Sequence, residues 1–154
     1  MRIKNQELRI KNFNITLNAN QTQVLGQKLA TQLKGGEIIA LQGNLGAGKT
    51  TFLKGIAKGL GIKNSITSPT FVLMKVYPVL KHKTIKQLVH ADCYRVTGTD
   101  MNKIGLGDYL NDLTTVIAIE LSGKLKTLKP TYNIKLNLGK SNNERQIAIT
   151  LLRT

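Results

Sequence analysis

The stretch "GNLGAGKTT" at residues 43–51, entered from the apolar run "EIIALQ", constrains this chain more than any other feature. It has the form G-x-x-x-x-G-K-[ST], with Gly43, Gly48, Lys49 and Thr50 at the fixed places. Glycines at 43, 46 and 48 permit backbone angles closed to other residues, so successive amides can turn inward on one anion. Asn44, Leu45 and Ala47 complete that loop. A helix running on from Gly48 adds its positive end. In such a cradle Lys49 reaches the β- and γ-phosphates, the Thr50 hydroxyl ligates Mg²⁺, and Thr51 places another hydroxyl near the α-phosphate. The phosphate can then be given to a substrate, given to water, or held as a signal.

The surrounding pattern is that of an α/β chain. "LRIKNFNITLN" alternates Ile10, Phe13, Ile15 and Leu17 with one slip and reads as an opening strand. "NANQTQVLGQKLATQLKGG" starts with cap-capable Asn20, carries Val24, Leu25, Leu29 and Leu33 at helical spacing, and ends at a glycine pair. "EIIALQG" is a short buried strand, and "KTTFLKGIAKGLG" a helix ending at Gly61. "FVLMKVYPVL" and "KQLVHADCYRV" read as neighbouring strands, "DMNKIGLGDYL" as a short helix capped by Asp100, and "TTVIAIEL" as a buried strand. "YNIKLNLG" and "ERQIAITLL" flank "KSNN" as a closing hairpin. The expectation is a mixed sheet flanked by helices, in one domain spanning residues 1–154.

A phosphate site with magnesium also needs carboxylate, because this ion prefers oxygen ligands. Two acids end apolar strands: Asp92 in "LVHAD" and Glu120 in "VIAIE". Ligands gather at the carboxyl ends of strands in open α/β sheets, so both can face the cradle. Period two puts Leu88, His90 and Asp92 on one side of their strand, with His90 read as a structural hydrogen-bonding residue. Ser68 and Thr70 flank Pro69, in a loop whose hydroxyls can sense the γ-phosphate or simply close a turn. Tyr94 and Arg95 read as packing and pairing residues.

Charge is the unusual bulk property: 23 Lys and Arg against 8 Asp and Glu, a formal net charge of +15. That balance suits a polyanion such as RNA. It also follows from a lysine-rich composition alone, and the basic runs "KHKTIK" and "GKLKTLK" hold no stacking side chain. No apolar run approaches the ~18 residues of a spanning helix, and no secretion signal is evident at the start. Cys93 is the sole cysteine, so no internal disulfide can form, and the expectation is a cytoplasmic protein away from membranes.

Several P-loop classes are disfavoured by what is missing. A GTPase would carry N-K-x-D, but "NKIG" at 102–105 lacks the closing Asp. A nucleoside monophosphate kinase needs lid arginines, and only Arg95 and Arg145 lie between residues 10 and 152. The ordered set "GNLGAGKTT", "SPTF", "HADCYR", "IGLGDYL" and "VIAIEL" resembles the TsaE (YjeE) family of small bacterial P-loop ATPases over roughly residues 20 to 150. The resemblance implies ATP and Mg²⁺ as cofactors and a role in forming threonylcarbamoyladenosine on tRNAs that read codons beginning with adenine. It further implies action beside TsaD-like and TsaB-like partners, with tRNA met directly or through that complex. By position it makes Thr50 and Glu120 magnesium ligands, makes Asp92 the carboxylate that orients water or metal, and places Thr22 and Arg145 near the nucleotide base. Lys49, Asp92 and Glu120 are then the catalytic set. The family's tryptophan after the glutamate is replaced by Leu121, in a chain with no Trp. Two other readings stand beside this one: a small-molecule kinase, and a non-hydrolysing module that holds ATP and binds RNA.

Overall fold

A computed structural model of the chain describes residues 9–68, 73–93, 105–121 and 128–152. Seven strands form one sheet in the order β1-β7-β6-β2-β5-β4-β3, where β1 is Arg9–Thr16, β2 Ile38–Gln42, β3 Met74–Pro78, β4 Gln87–Asp92, β5 Thr115–Leu121, β6 Tyr132–Leu138 and β7 Arg145–Leu152. The four inner strands β4, β5, β2 and β6 run parallel, whereas β3, β7 and β1 are joined antiparallel at the flanks. The sheet is therefore mixed, as the strand and helix pattern predicts. Because the inner strands share a direction, Gln42, Asp92, Leu121 and Leu138 all end at one edge of the sheet.

Burial on both faces explains why β5 reads as a continuous apolar run, since every one of its residues is buried. On one face Ile39 and Leu41 of β2, Leu88 of β4, Val116 and Ala118 of β5, and Ile134 and Leu136 of β6 pack with Leu29, Phe52, Leu53 and Ile56. Those last four side chains belong to, respectively, α1 (Ala19–Ala30) and α2 (Lys49–Gly59), so both long helices cover the same face. The helices approach backbone to backbone: a Cβ on Gly26 would lie 2.3 Å from the Phe52 carbonyl oxygen, and one on Gly55 2.0 Å from that of Gln23. On the other face Val89, Ala91 and Cys93 of the β4 region meet Ile117, Ile119 and Leu121 under Leu106 of a single 3₁₀ turn, Leu106–Asp108. Leu121 is thus a core residue of this second layer.

Two local expectations are corrected. Helix α1 is capped by Asn18, not Asn20: the Asn18 Oδ1 accepts the Gln21 N–H at 2.9 Å while the Gln21 side chain accepts the Leu17 N–H at 2.8 Å. The helix expected over residues 100–110 survives among the described residues only as the 3₁₀ turn, because Gly105 (φ +82°) and Asn111 (φ +70°) take left-handed angles on either side of it. Asp100 lies outside the described residues. The alternating Phe13, Ile15 and Leu17 mark β1 correctly as a strand but do not enter the core, and are more than half exposed. In the β1–β7 register it is Asn12 and Asn14 that stand opposite the inward-packed Ile149 and Ile147.

Candidate functional site

The loop between β2 and α2 has the geometry of an anion cradle. Gly46 and Gly48 take φ of +80° and +100°, and a Cβ on Gly43 would lie 2.5 Å from the Leu136 carbonyl oxygen. Gly48 is the N-cap of α2, so no side chain caps this helix and its first turn opens toward the loop. Lys49 is buried, and its ammonium folds back onto the carbonyls of Gly43 and, at 3.3 Å, Asn44. Ala47 is buried and Leu45 protrudes fully into solvent at the loop tip.

A cleft of about 310 Å³ lies against this loop at the carboxyl edge of the sheet. Its wall comprises residues 45–51 of the loop and helix start, Ala19 and Thr22 of α1, Ser68, Glu120 of β5, and Asn143 and Arg145 of the closing hairpin. Three of the wall residues from outside the loop are held by specific hydrogen bonds. The buried Thr22 hydroxyl shares a 2.7 Å hydrogen bond with that of Thr16 and lies 3.3 Å from the Asn18 carbonyl. The Arg145 guanidinium donates to the carbonyls of Asn142 (2.7 Å), Glu144 (2.9 Å) and Gly46 (3.1 Å), strapping the hairpin to the tip of the cradle. Glu120 is buried, and its Oε1 lies 2.9 Å from Nε2 of the fully buried His90.

The predicted site residues are thus brought together unevenly. Thr22, Leu45, Gly46, Ala47, Gly48, Lys49, Thr50, Thr51, Glu120 and Arg145 share the wall, whereas Gly43, Asn44 and Asp92 do not line it. Gly43 and Asn44 lie behind the wall as acceptors for Lys49. Asp92 is half-buried at the end of β4, opposite Glu120 in register, with its N–H donated to the Leu73 carbonyl at 2.8 Å. Thr70, Tyr94 and Arg95 lie outside the described residues. Ala19 and Asn143 are wall residues that the motifs do not flag, although Asn143 is in the "KSNN" turn two residues before Arg145. The Cys93 thiol is buried, and its pKa is pushed up to about 11 by burial and then by the nearby Asp92 charge, which makes it a poor nucleophile.

Among the described residues no group of three or more His, Cys, Asp or Glu side chains could hold a metal. Magnesium at a phosphate site needs no such cage, because it keeps waters and is held by one or two protein oxygens together with phosphate. The Thr50 hydroxyl and the buried Glu120 carboxylate in one wall fit that oxygen donor set, and the uncapped helix start and the buried Lys49 ammonium fit the phosphate. No helix among the described residues is long and apolar enough to cross a membrane.

The family model described as "Threonylcarbamoyl adenosine biosynthesis protein TsaE" matches residues 16–147, which include the cradle, both strand-end acids and Arg145. This chain belongs to the TsaE family. Curated relatives called tRNA threonylcarbamoyladenosine biosynthesis protein TsaE support the same placement. That of Streptomyces coelicolor is 42% identical over 107 residues, covering 68% of this chain and 70% of its own. That of Bacillus subtilis is 32% identical over 136 residues, covering 88% and 82%. The crystal structure of YdiB from the same species superposes with a TM-score of 0.73 at 27% identity, covering 96% of this chain and 90% of YdiB. The chain and YdiB therefore share one fold over nearly their whole lengths.

Proposed function

We propose that this TsaE-family protein binds and hydrolyses ATP as a switch in forming threonylcarbamoyladenosine on tRNAs that read codons beginning with adenine. It acts as one domain, in the cytoplasm, beside TsaD-like and TsaB-like partners and the tRNA they modify. The observation that carries this reading is the meeting of Lys49 at the uncapped α2 start and buried Glu120 in one cleft, 71 residues apart in sequence.

The loop amides and the α2 terminus neutralise phosphate charge, and Lys49 moves from the Gly43 and Asn44 carbonyls onto the β- and γ-phosphates. Thr50 and Glu120 would hold a magnesium ion, which would supply positive charge to offset that of the phosphates. Asp92, beside Glu120 but outside the wall, orients water or the ion's water shell instead of touching phosphate. Thr22 and Arg145 bound the end of the cleft nearest α1 and the hairpin, where the base is received. No arginine is aimed into the cleft as a finger among the described residues, since Arg145 is committed to three carbonyls. Turnover by the chain alone is accordingly slow, and such a group when supplied in trans is worth about 10³ to 10⁵ in rate. ATP hydrolysis measured with and without cognate TsaD and TsaB tests the reading: strong stimulation is expected, and unchanged phosphate release would contradict it.

A further inference from the structure

We propose that His90 is a positioning residue that fixes the Glu120 carboxylate for a cation in the cleft. The proposal rests on the reading of Glu120 as a metal ligand. The two residues come from adjacent parallel strands, and the contact is diagonal: Asp92 stands opposite Glu120, while His90 stands opposite Ala118. The small Ala118 side chain leaves the space through which the imidazole reaches Glu120, at 2.9 Å from Nε2 to Oε1.

His90 has no exposed surface, and its Nδ1 has no hydrogen-bond partner among the described residues. A residue there only to fill the core would be apolar and would avoid the cost of a desolvated, unpartnered nitrogen. A histidine here that makes one good hydrogen bond points to a task performed through that bond. An ionised carboxylate only accepts, so Nε2 is the donor in this contact. One carboxylate oxygen is then committed to His90, and the carboxylate presents its other oxygen from a fixed position in the cleft wall that Glu120 helps to form. Partners behind a metal ligand commonly contribute 10- to 100-fold to metal affinity, about what one fixed hydrogen bond supplies here.

The test uses the full chain, with Mn²⁺ as a paramagnetic probe and ADP as the nucleotide. His90→Leu should weaken Mn²⁺ binding to the ADP complex about tenfold while leaving ADP affinity in EDTA within about twofold. His90→Gln, whose amide N–H can donate from near the Nε2 position, should recover most of the loss. Without metal, ¹⁵N NMR of the unaltered chain should show the Nε2–H tautomer at His90, and this signature should change in Glu120→Gln. Parental Mn²⁺ affinity in both His90 variants, with affinity lost in Glu120→Gln, would overturn the inference and leave the metal reading intact. Parental Mn²⁺ affinity in Glu120→Gln would instead overturn the metal reading, and the inference with it. If His90→Leu does not fold, a Nδ1–H tautomer in the unaltered chain or a failure of His90→Gln to keep metal affinity above that of Glu120→Gln would overturn the proposal.

Discussion

The two ends of β2 carry similar glycine-bearing loops with opposite outcomes. Before the strand, Gly35 and Gly36 take φ of +114° and +88°, and the Glu37 carboxylate accepts the N–H groups of Lys34 and Gly35 at 2.6 and 2.8 Å. Gly36 donates to the Thr115 carbonyl at 2.8 Å, so this loop is closed by the chain's own groups. After the strand, Gly46 and Gly48 are again left-handed, but residues 43–51 contain no acid and no side chain caps α2. Inward-turned amides attract an anion in both places. At the first the anion is built in; at the second the place is open to one from outside.

Packing separates the two loops in the same way. A Cβ on Gly35 would lie 2.0 Å from the Leu113 carbonyl oxygen, whereas one on Gly46 meets nothing within 4 Å. On the proposed function the closed loop is a fold determinant and the open loop a binding determinant, and substitutions should sort accordingly.

The largest effect should come from Lys49→Ala, which should weaken ATP binding at least about 100-fold, the loss of a buried charge-assisted contact, with little change in melting temperature. Equal losses of stability and binding would erase the distinction. Next, Gly35→Ala should destabilise the fold by about 3 kcal/mol, combining left-handed strain with a backbone clash, as read by urea unfolding. Gly46→Ala should cost only about 1 kcal/mol of stability, from its backbone angle alone, and should show its main effect in nucleotide affinity; reversal of this order would break the comparison. Glu37→Gln should cost about 1–2 kcal/mol because an amide NH₂ would then face an amide N–H, leaving ATP binding unchanged. The smallest effect sharpens the electrostatic side. The Tyr132 phenol is held above its ordinary pKa by burial and, secondarily, by the Glu37 charge. In Glu37→Gln it should ionise at lower pH than in the parent, though still above the ordinary value, in a spectrophotometric titration.

What was legible in the sequence had local signatures. Fixed spacing between Gly43 and Thr50 identifies the cradle, and runs of β-branched residues identify β2 and β5. The Asn18 cap was also legible, because Asn18 and Gln21 have capping-box spacing, but neighbouring Asn20 offered the same side chain. Contacts set by register were not legible. Placing His90 against Glu120 requires knowing that β4 and β5 are parallel neighbours, and placing Arg145 against Gly46 requires the hairpin to return across 99 residues. Nor does alternation reveal which face of an edge strand is covered, as exposed Phe13 and Ile15 show. Shared strand-end position made Asp92 and Glu120 look equivalent, yet only Glu120 reaches the cleft wall.

The central claim is that the open end of β2 receives the phosphates of a nucleotide. Calorimetric titration of the full chain with MgATP addresses it directly, with Lys49→Ala as the matched control. Saturable binding near one nucleotide per chain, lost in the variant, is the predicted result. An unaltered chain that takes up no nucleotide, or a Lys49→Ala variant that binds as the parent does, would contradict it.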